Sequence, residues 1–477
     1  MRRPSPWLIV VLVGAAIGAV FAAVSTYDFV QHLDRQVHSL HCSFLPGVSH
    51  GAGESGCQVA MMSPYSSVLR THVWGGLPIS LAALSVFAFL VFLAVDLAVT
   101  RRKHDPRATG FLALATALPA LTSAVMLVIS LTKLGTTCKL CVCIYLASAT
   151  CLLGGVALWR RAVRGHRGAP APTDRDGPAE QAERHHGDPA FVGGARAGAV
   201  GAIPDVEPRG SGRLSAAVGP AGAASVGYLA GMFGAGVAFV AVPVVLYLAL
   251  APDHARFIGT CEGLPHPADG YGVMLRLARG APGGVPAVEV LDPLCPACRA
   301  FEQRLASSGL ADRLDRKAVL FPLDNTCNWM VTEATHPGAC TISEAVLCAG
   351  DQAPDVIAWA FEAQDRIRDE AKADPSAAAR LVKQRFPALA ACVGSPDARS
   401  RLNKSMRWIV ANNLRVLTPQ VFVDGVKLCD EDVDLGLEYM LSNMLDRHAR
   451  HALATVPLEQ PVPAGAPATA RSPAGAR

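Results

Sequence analysis

The sequence predicts two folds in one chain: a polytopic α-helical membrane bundle of four helices plus a fifth, followed by a soluble α/β domain with a helical insertion. Three observations carry this. Of 477 residues, 51% are hydrophobic and only 17% charged, and several apolar runs reach the roughly 20 residues that cross a bilayer as a helix. Arginines gather beside those runs while the net charge is only +4, which marks membrane topology rather than a nucleic-acid footprint. Beyond the last run, a buried-strand pattern from Ala287 to Leu291 leads into Cys295-Pro296-Ala297-Cys298 and a helical pattern through Phe301 and Leu305.

Residues 1–165 read as the membrane domain, with spans at about 7–24, 73–99, 110–131 and 138–159. Arg2 and Arg3 precede the first span. It reads as a retained helix, because a membrane redox site needs walls; the alternative is a signal peptide cleaved near Ala23-Val24-Ser25. Both put the next segment outside. Thr26 to Thr71 is an external loop carrying Cys42 and Cys57. His32, His38, His41 and His50, with His72 at its boundary, read as solvated loop residues rather than metal ligands. Arg101, Arg102, Lys103 and Arg107 follow the second span, and Arg160, Arg161, Arg164 and Arg167 follow the fourth. The basic clusters fall on one side, as the positive-inside rule expects. Residues 166–223, rich in Ala, Gly, Pro and Arg, read as a disordered cytoplasmic linker. A fifth helix at 224–251, with Pro243 as a kink point, returns the chain outside, where 253–451 form the α/β domain and 452–477 a disordered tail.

Cysteines carry the chemistry. There are 14, eight of them in the soluble part, a density that suits an oxidising compartment. Cys138-Lys139-Leu140-Cys141 opens the fourth span. Two thiols three residues apart at a helix start close into a small disulfide ring, and the helix N-terminus favours the thiolate. There a thiol meets both an aqueous partner and a lipid-soluble one. A zinc half-site and a chance pair are the alternatives. For Cys295 and Cys298 no second CxxC follows at zinc-finger spacing, so redox chemistry is the reading and no metal is expected. Cys295, at the helix start, is the expected attacking thiolate and Cys298 the resolving thiol. Cys261, Cys327, Cys340, Cys348, Cys392 and Cys429 are expected to form structural bridges; among the 15 pairings that six cysteines allow, Cys327–Cys340 and Cys348–Cys392 are the favoured guesses. Cys143 and Cys151 read as apolar fillers of the fourth span, and His336, beside Pro337-Gly338, as a loop residue.

A strand, a CxxC opening a helix, and a later Thr418-Pro419 leading into Val421-Phe422-Val423 and the turn Asp424-Gly425 resemble the thioredoxin fold. That resemblance implies a cis Thr418–Pro419 loop facing the Cys295/Cys298 pair. The separation of 120 residues between Cys298 and Thr418 resembles the periplasmic disulfide-forming oxidoreductases, which insert a helical subdomain; here Asp351 to Asn413 has the helical pattern.

In the membrane half, Cys42, Cys57, Ser63 six residues later, Tyr65, Gly76-Leu77-Pro78, Cys138–Cys141 and Tyr145 four residues on together resemble the vitamin K epoxide reductase family, in its bacterial form fused to a thioredoxin-like domain. The resemblance implies helices around a quinone (ubiquinone or menaquinone), with Cys141 beside the ring and Cys138 its partner. Cys57 would exchange with Cys138, and Cys42 would meet the thioredoxin-like domain. Tyr145 shares a helical face with Cys141 and would hydrogen-bond the quinone, an interfacial anchor being the alternative. Ser63 would contribute to the quinone site, shape the loop or cap a helix. The 14 residues between Cys42 and Cys57 exceed the family's usual gap. The implied activity is a disulfide relay in the inner membrane, with the thioredoxin-like domain on the extracytoplasmic side. Exported proteins with free cysteines would be its substrates and the membrane quinone pool its electron acceptor. The same relay run in the reducing direction, and a membrane-anchored, disulfide-stapled binding module or chaperone, are the alternatives.

Overall fold

A computed structural model of the chain describes residues 5–36, 56–135, 137–167, 224–277 and 284–454. Cys42, His38, His41, His50, the linker from 168 to 223 and the tail from 455 lie outside the described residues. The N-terminal part consists of α1 (Pro6–Gln31), a short α2 (Gly56–Met62), a small hairpin of β1 (Ser67–Val68) and β2 (Leu77–Pro78), then α3 (Ile79–Val99), α4 (Pro106–Ile129), α5 (Lys139–Arg167) and α6 (Val226–Leu250). Helices α1, α3, α4, α5 and α6 are long and apolar enough to cross a membrane. Even α3, the shortest at 21 residues, spans roughly 30 Å at 1.5 Å per residue. The chain is a multi-pass membrane protein.

Helix α1 runs unbroken through Ala23-Val24-Ser25. Just beyond, the Thr26 hydroxyl lies 2.8 Å from the Ala22 carbonyl and 3.0 Å from the Ser80 hydroxyl. Helix α4 passes into a π turn, Ser130–Leu134, closed by Gly135 in the left-handed region. A single π turn re-aims a helix end at the cost of one irregular bond, and such turns favour functional sites. This one delivers the chain to Cys138.

Two compact units divide the chain. The first comprises Met1–Ile17, Val86–Ser123 and Tyr145–Ala238. Its helices meet through small residues: a Cβ at Gly154 would lie 2.8 Å from Val11 Cγ2, and one at Gly155 2.7 Å from Thr116 Oγ1. In lipid, where apolar side chains gain nothing by leaving solvent, this close van der Waals fit is what holds helices together.

The second unit comprises Gly18–Ser85, Ala124–Ile144 and Phe239–Arg477. Its α/β domain has a five-stranded sheet in the order β3-β5-β4-β6-β7: β3 is Leu275–Arg276, β4 Val285–Leu291, β5 Leu314–Leu320, β6 Gln420–Val423 and β7 Val426–Leu428. Strand β4 pairs parallel with β5, Val288 opposite Lys317, and antiparallel with β6, Val288 opposite Phe422. Helix α7 (Pro296–Ser308) makes the β4–β5 crossover that a parallel pair needs. Helices α8 (Ala339–Ala349), α9 (Ala353–Glu362), α10 (Gln364–Ala373), α11 (Ala377–Arg385) and α12 (Pro396–Ala411) fill the interval before β6, and α13 (Leu437–Ala454) ends the domain. This is the thioredoxin fold with a helical insertion. The insertion starts at Ala339, earlier than the expected Asp351. Helix α8 is buried almost all round, Ser343 and Glu344 included, so its sequence carries no amphipathic pattern. The domain core joins Val290, Leu291 and Phe321 to Ile342, Val346, Met406 and Trp408, each large side chain contributing about 1.5–3 kcal/mol by leaving water. The bridges are Cys261–Cys429, Cys327–Cys340 and Cys348–Cys392; the last two are the pairs the sequence favoured.

Candidate functional site

Cys138 stands at the start of α5. Its carbonyl accepts the Val142 N–H at 3.0 Å, and its sulfur accepts the Cys141 N–H at 3.3 Å. The unpaired donors of a helix start thus point at this sulfur. On its other side the Cys57 sulfur lies 3.2 Å away. Cys57, at the second position of α2, is buried and held in a disulfide, whereas Cys138 and Cys141 are thiols. Phe21, Val24, Ala60 and Leu140 enclose the group. Apolar surroundings exclude water, and a sulfur–sulfur approach this close leaves one small displacement before exchange. Cys42, the partner the resemblance gives Cys57, lies outside the described residues.

Cys141 and, one turn on, Tyr145 are half-buried on the same side of α5. This donor set fits a quinone: a thiol able to reduce, a phenol able to donate a hydrogen bond, and apolar neighbours. The Ser63 hydroxyl donates to the Ala60 carbonyl at 2.7 Å, and the Ser63 carbonyl accepts from Arg70 Nη1 at 2.5 Å. Both contacts shape the loop after α2. His32 departs from expectation. It is buried, its Nδ1 2.7 Å from the Asp28 carbonyl oxygen, because α1 extends seven residues past the predicted end and carries it inside. Cys151 is buried near Val11.

The second dithiol is built differently. Cys295 caps α7 with extended backbone, and Pro296 takes the first helical position, where its missing N–H costs nothing. The peptide Thr418–Pro419 is cis, and the Cys295 thiol donates to the Thr418 carbonyl at 3.5 Å. Hydrogen bonding from Cys298, supported by Thr418 and opposed by burial, holds the Cys295 thiol down at about 6. Burial and the neighbouring Cys295 push Cys298 well above its ordinary 9.0. One sulfur is thus held toward the thiolate at neutral pH and the other toward the thiol.

Three groups beside this pair escaped the sequence reading. Glu289, in mid-strand β4, is buried and accepts from Arg316 Nε at 2.6 Å; Arg316 also holds Glu302. Burial, with Glu302 adding and Arg316 opposing, pushes the Glu289 carboxyl up to about 8. A carboxylate inside Val288-Glu289-Val290 was a readable signal, since charge enters a buried strand only with a partner. Asp292 is fully buried and accepts the Leu294 N–H at 2.7 Å and the Leu323 N–H at 2.8 Å. His336 bonds Asp292 through Nδ1 at 2.6 Å. It is a loop residue, as expected, yet buried; nothing local in the sequence announces its partner, 44 residues away.

A polar clamp ties the segment around α2 to the start of α13. Arg35 grips Asp432 with two nitrogens, at 3.0 and 2.7 Å, and Trp74 Nε1 donates to the same carboxylate at 2.8 Å. Arg70 lies 3.2 Å from Glu438. Trp74 stacks on His254 at 4.6 Å, and His254 Nε2 reaches the Leu33 carbonyl at 2.9 Å. Phe29, Met62 and Trp74 share an apolar cluster with Ile258, Leu435, Leu437 and Met440. Any Cβ at Gly436 would sit 2.2 Å from Trp74 Nε1, so this approach demands glycine. Breaking a buried pair by removing one partner costs about 3–5 kcal/mol.

Residues 9–154 match the vitamin K epoxide reductase family. Among solved structures, the chain is similar to reduced DsbA1 from Neisseria meningitidis, at 16% identity over 37% of this chain and 94% of that one, with a TM-score of 0.26. It is also similar to the oxidoreductase DsbA from Xylella fastidiosa (18% identity, 37% and 92% covered, TM-score 0.27). A third is Proteus mirabilis ScsC in a transitional conformation (16% identity, 44% and 93% covered, TM-score 0.25). No curated protein matches the chain.

Proposed function

From a vitamin K epoxide reductase family domain at residues 9–154, followed by a thioredoxin-fold domain, we propose that the chain is a membrane thiol-disulfide oxidoreductase that makes disulfides in exported proteins and passes the electrons inward to a quinone. The observation that carries this is the 3.2 Å approach of the Cys138 and Cys57 sulfurs. A client thiolate attacks Cys295 of the Cys295–Cys298 disulfide; a second client thiolate displaces Cys295, and the client leaves oxidised. Reduced Cys295 then attacks Cys42 of the Cys42–Cys57 disulfide, freeing Cys57, and Cys298 displaces Cys42 from the Cys295–Cys42 bond, restoring the Cys295–Cys298 disulfide. Freed Cys57, as thiolate, attacks Cys138 of the Cys138–Cys141 disulfide, and Cys42 resolves that bond, leaving Cys138 and Cys141 reduced. Each exchange forms one S–S bond and breaks one, the electron pair leaving with the displaced sulfur. A quinone bound beside Cys141 and Tyr145 supplies the two-electron sink, so that overall a client dithiol and a quinone become a disulfide and a quinol.

The clamp of Arg35, Trp74 and Asp432 supports a tethered exchange. Linking the domains raises the effective concentration of the soluble pair to about the mM range. This reading places the thioredoxin-fold domain outside the cytoplasm, where clients emerge.

The test uses the full chain in lipid with a reduced dithiol peptide and a quinone. Loss of peptide thiols matched by quinol formation is expected, and both vanish in Cys138→Ala. Unchanged turnover in that variant overturns the relay; in the mirror assay, started from an oxidised peptide and a quinol, quinol consumption with peptide reduction reverses its direction.

A further inference from the structure

Helix α2 carries Cys57 and is only seven residues long, Gly56–Met62. Isolated helices shorter than about 12–15 residues are marginal in water, so the position of this sulfur depends on what holds α2 at its ends. The last carbonyls of a helix lack partners within it. Here the Ser63 hydroxyl donates to the Ala60 carbonyl at 2.7 Å. The Ser63 carbonyl in turn accepts the Ser66 N–H at 3.2 Å, the Ser66 hydroxyl at 3.0 Å and Arg70 Nη1 at 2.5 Å. Of these donors Arg70 alone is charged, and a cation at a helix C-terminus complements its dipole.

The same guanidinium faces the thioredoxin-fold domain. Its Nη2 donates to the Leu435 carbonyl at 3.5 Å, and its Nε lies 3.2 Å from a carboxylate oxygen of Glu438, in the first turn of α13. The two side chains are 6% and 5% exposed, so water does not loosen the pair. The preceding residue, Leu69, is exposed and takes a φ of 60°. This left-handed conformation costs a non-glycine residue energy and persists only where the surroundings impose it. Met62, at the end of α2, packs in one cluster with Leu435 and Leu437. Ala60, one turn after Cys57, packs against Cys57, Cys138 and Leu140. The start of α13 thus grips the C-terminal end of α2, whose sulfur faces Cys138 at 3.2 Å.

We propose that Arg70 is a positioning residue for the exchange between Cys57 and Cys138: through Glu438 and Leu435 it couples the seating of the thioredoxin-fold domain to the end of α2, and so sets the Cys57 sulfur within reach of Cys138. This rests on reading Cys57 and Cys138 as an exchanging pair. The Cys57 thiolate attacks Cys138, the Cys57–Cys138 bond forms, the Cys138–Cys141 bond breaks, and Cys141 leaves as thiolate with the electron pair. Arg70 gives and takes no electron or proton in that transfer. Its contribution is geometric, since a misplacement of reacting groups by about 1 Å costs on the order of 100-fold in rate. The exchange at Cys138 is then fast only while the domain that delivers the electrons is seated.

The experiment uses the full chain in lipid, with Cys42, Cys295 and Cys298 changed to serine and Cys141, Cys143 and Cys151 to alanine. Cys57 and Cys138 are then its two thiols, beside the three structural bridges. An equimolar dipyridyl disulfide reacts with one of them and releases an absorbing thione. The other sulfur attacks the labelled one, closes the Cys57–Cys138 bond and releases a second thione. The first release varies with reagent concentration and reports how reachable the thiols are; the second does not and reports closure. Removing Arg70 alone leaves Glu438 buried and unpaired, so two other variants are used. Arg70→Gln with Glu438→Gln removes both charges together. Arg70→Lys keeps a cation opposite Glu438 but lacks the guanidinium fork that holds the Ser63 and Leu435 carbonyls. In both, the second release should slow by roughly 10- to 100-fold while the first keeps the parent rate, each measured below the variant's own melting temperature. A second release at the parent rate in either variant, or equal slowing of both releases, would overturn the proposal and leave the relay standing. No second release in the parent itself would overturn the exchange on which both rest.

Discussion

The two dithiol centres share a motif and differ in how they face their surroundings. Both place the first cysteine at a helix start and the second one turn in. At the soluble centre both sulfurs are buried, and Cys295 meets the cis Thr418–Pro419 loop while Cys298 is sealed behind it. On the proposed relay, traffic in both directions then passes through Cys295. At the membrane centre the first sulfur, Cys138, is buried against Cys57, and the second, Cys141, is the more exposed. On the proposed relay each sulfur has its own partner, Cys57 for Cys138 and the quinone for Cys141. The first arrangement suits a carrier that loads and unloads at one point, the second a conductor that takes electrons in at one end and gives them out at the other. The same four-residue spacing yields both, because the neighbours decide which sulfur is reachable.

That contrast can be broken by mutation. The largest effect is expected for Cys138→Ala, which removes the sulfur facing Cys57: peptide-driven quinol formation should fall by at least about 10³-fold, the scale of losing an essential nucleophile. Cys141→Ala should abolish quinol formation equally yet leave Cys138 able to bond Cys57, an asymmetry the soluble pair cannot show. Arg35→Ala strands Asp432 in the clamp and should destabilise the region around α13 by about 3 kcal/mol, read as faster proteolysis there. Gly436→Ala, forced against Trp74, should do the same. The mildest effect concerns pH. Alkylation of Cys295 in the reduced chain should follow its thiolate, with a midpoint near 6. By linkage, a thiol lowered from 9.0 to about 6 stabilises the reduced fold fully above the upper value, and this contribution disappears as pH falls through the lower one. The advantage of reduced wild type over reduced Cys295→Ser should accordingly shrink on acidification, measured by thermal melting. A midpoint near 9 would remove the basis for calling Cys295 the attacking sulfur.

Local patterns were legible. Cys138 to Cys141 and Cys295 to Cys298 declare themselves by spacing, the strand before Cys295 by its apolar run, and Thr418-Pro419 by its position before Val421-Phe422-Val423. The five long helices follow from composition alone. What escaped is non-local. Arg35 and Asp432 are 397 residues apart, and each looks like an ordinary surface charge. His336 gains meaning only when the β5–α8 connection lays it on Asp292. His32 was misjudged because α1 outruns its apolar stretch: Thr26 bonds the Ala22 carbonyl and His32 the Asp28 carbonyl, so polar residues continue the helix. Helix α8 was missed for the opposite reason, being buried on every side.

The central claim is that Cys57 and Cys138 exchange directly, and peptide mapping tests it most directly. The full chain carrying Cys141→Ala, treated with a reduced dithiol peptide and then a mild oxidant, is digested without reduction and its cross-linked peptides identified by mass. A peptide joining Cys57 to Cys138 is the expected product. Recovery of Cys138 as a free thiol, or joined to Cys143, with Cys57 still in its original bridge, would contradict the account.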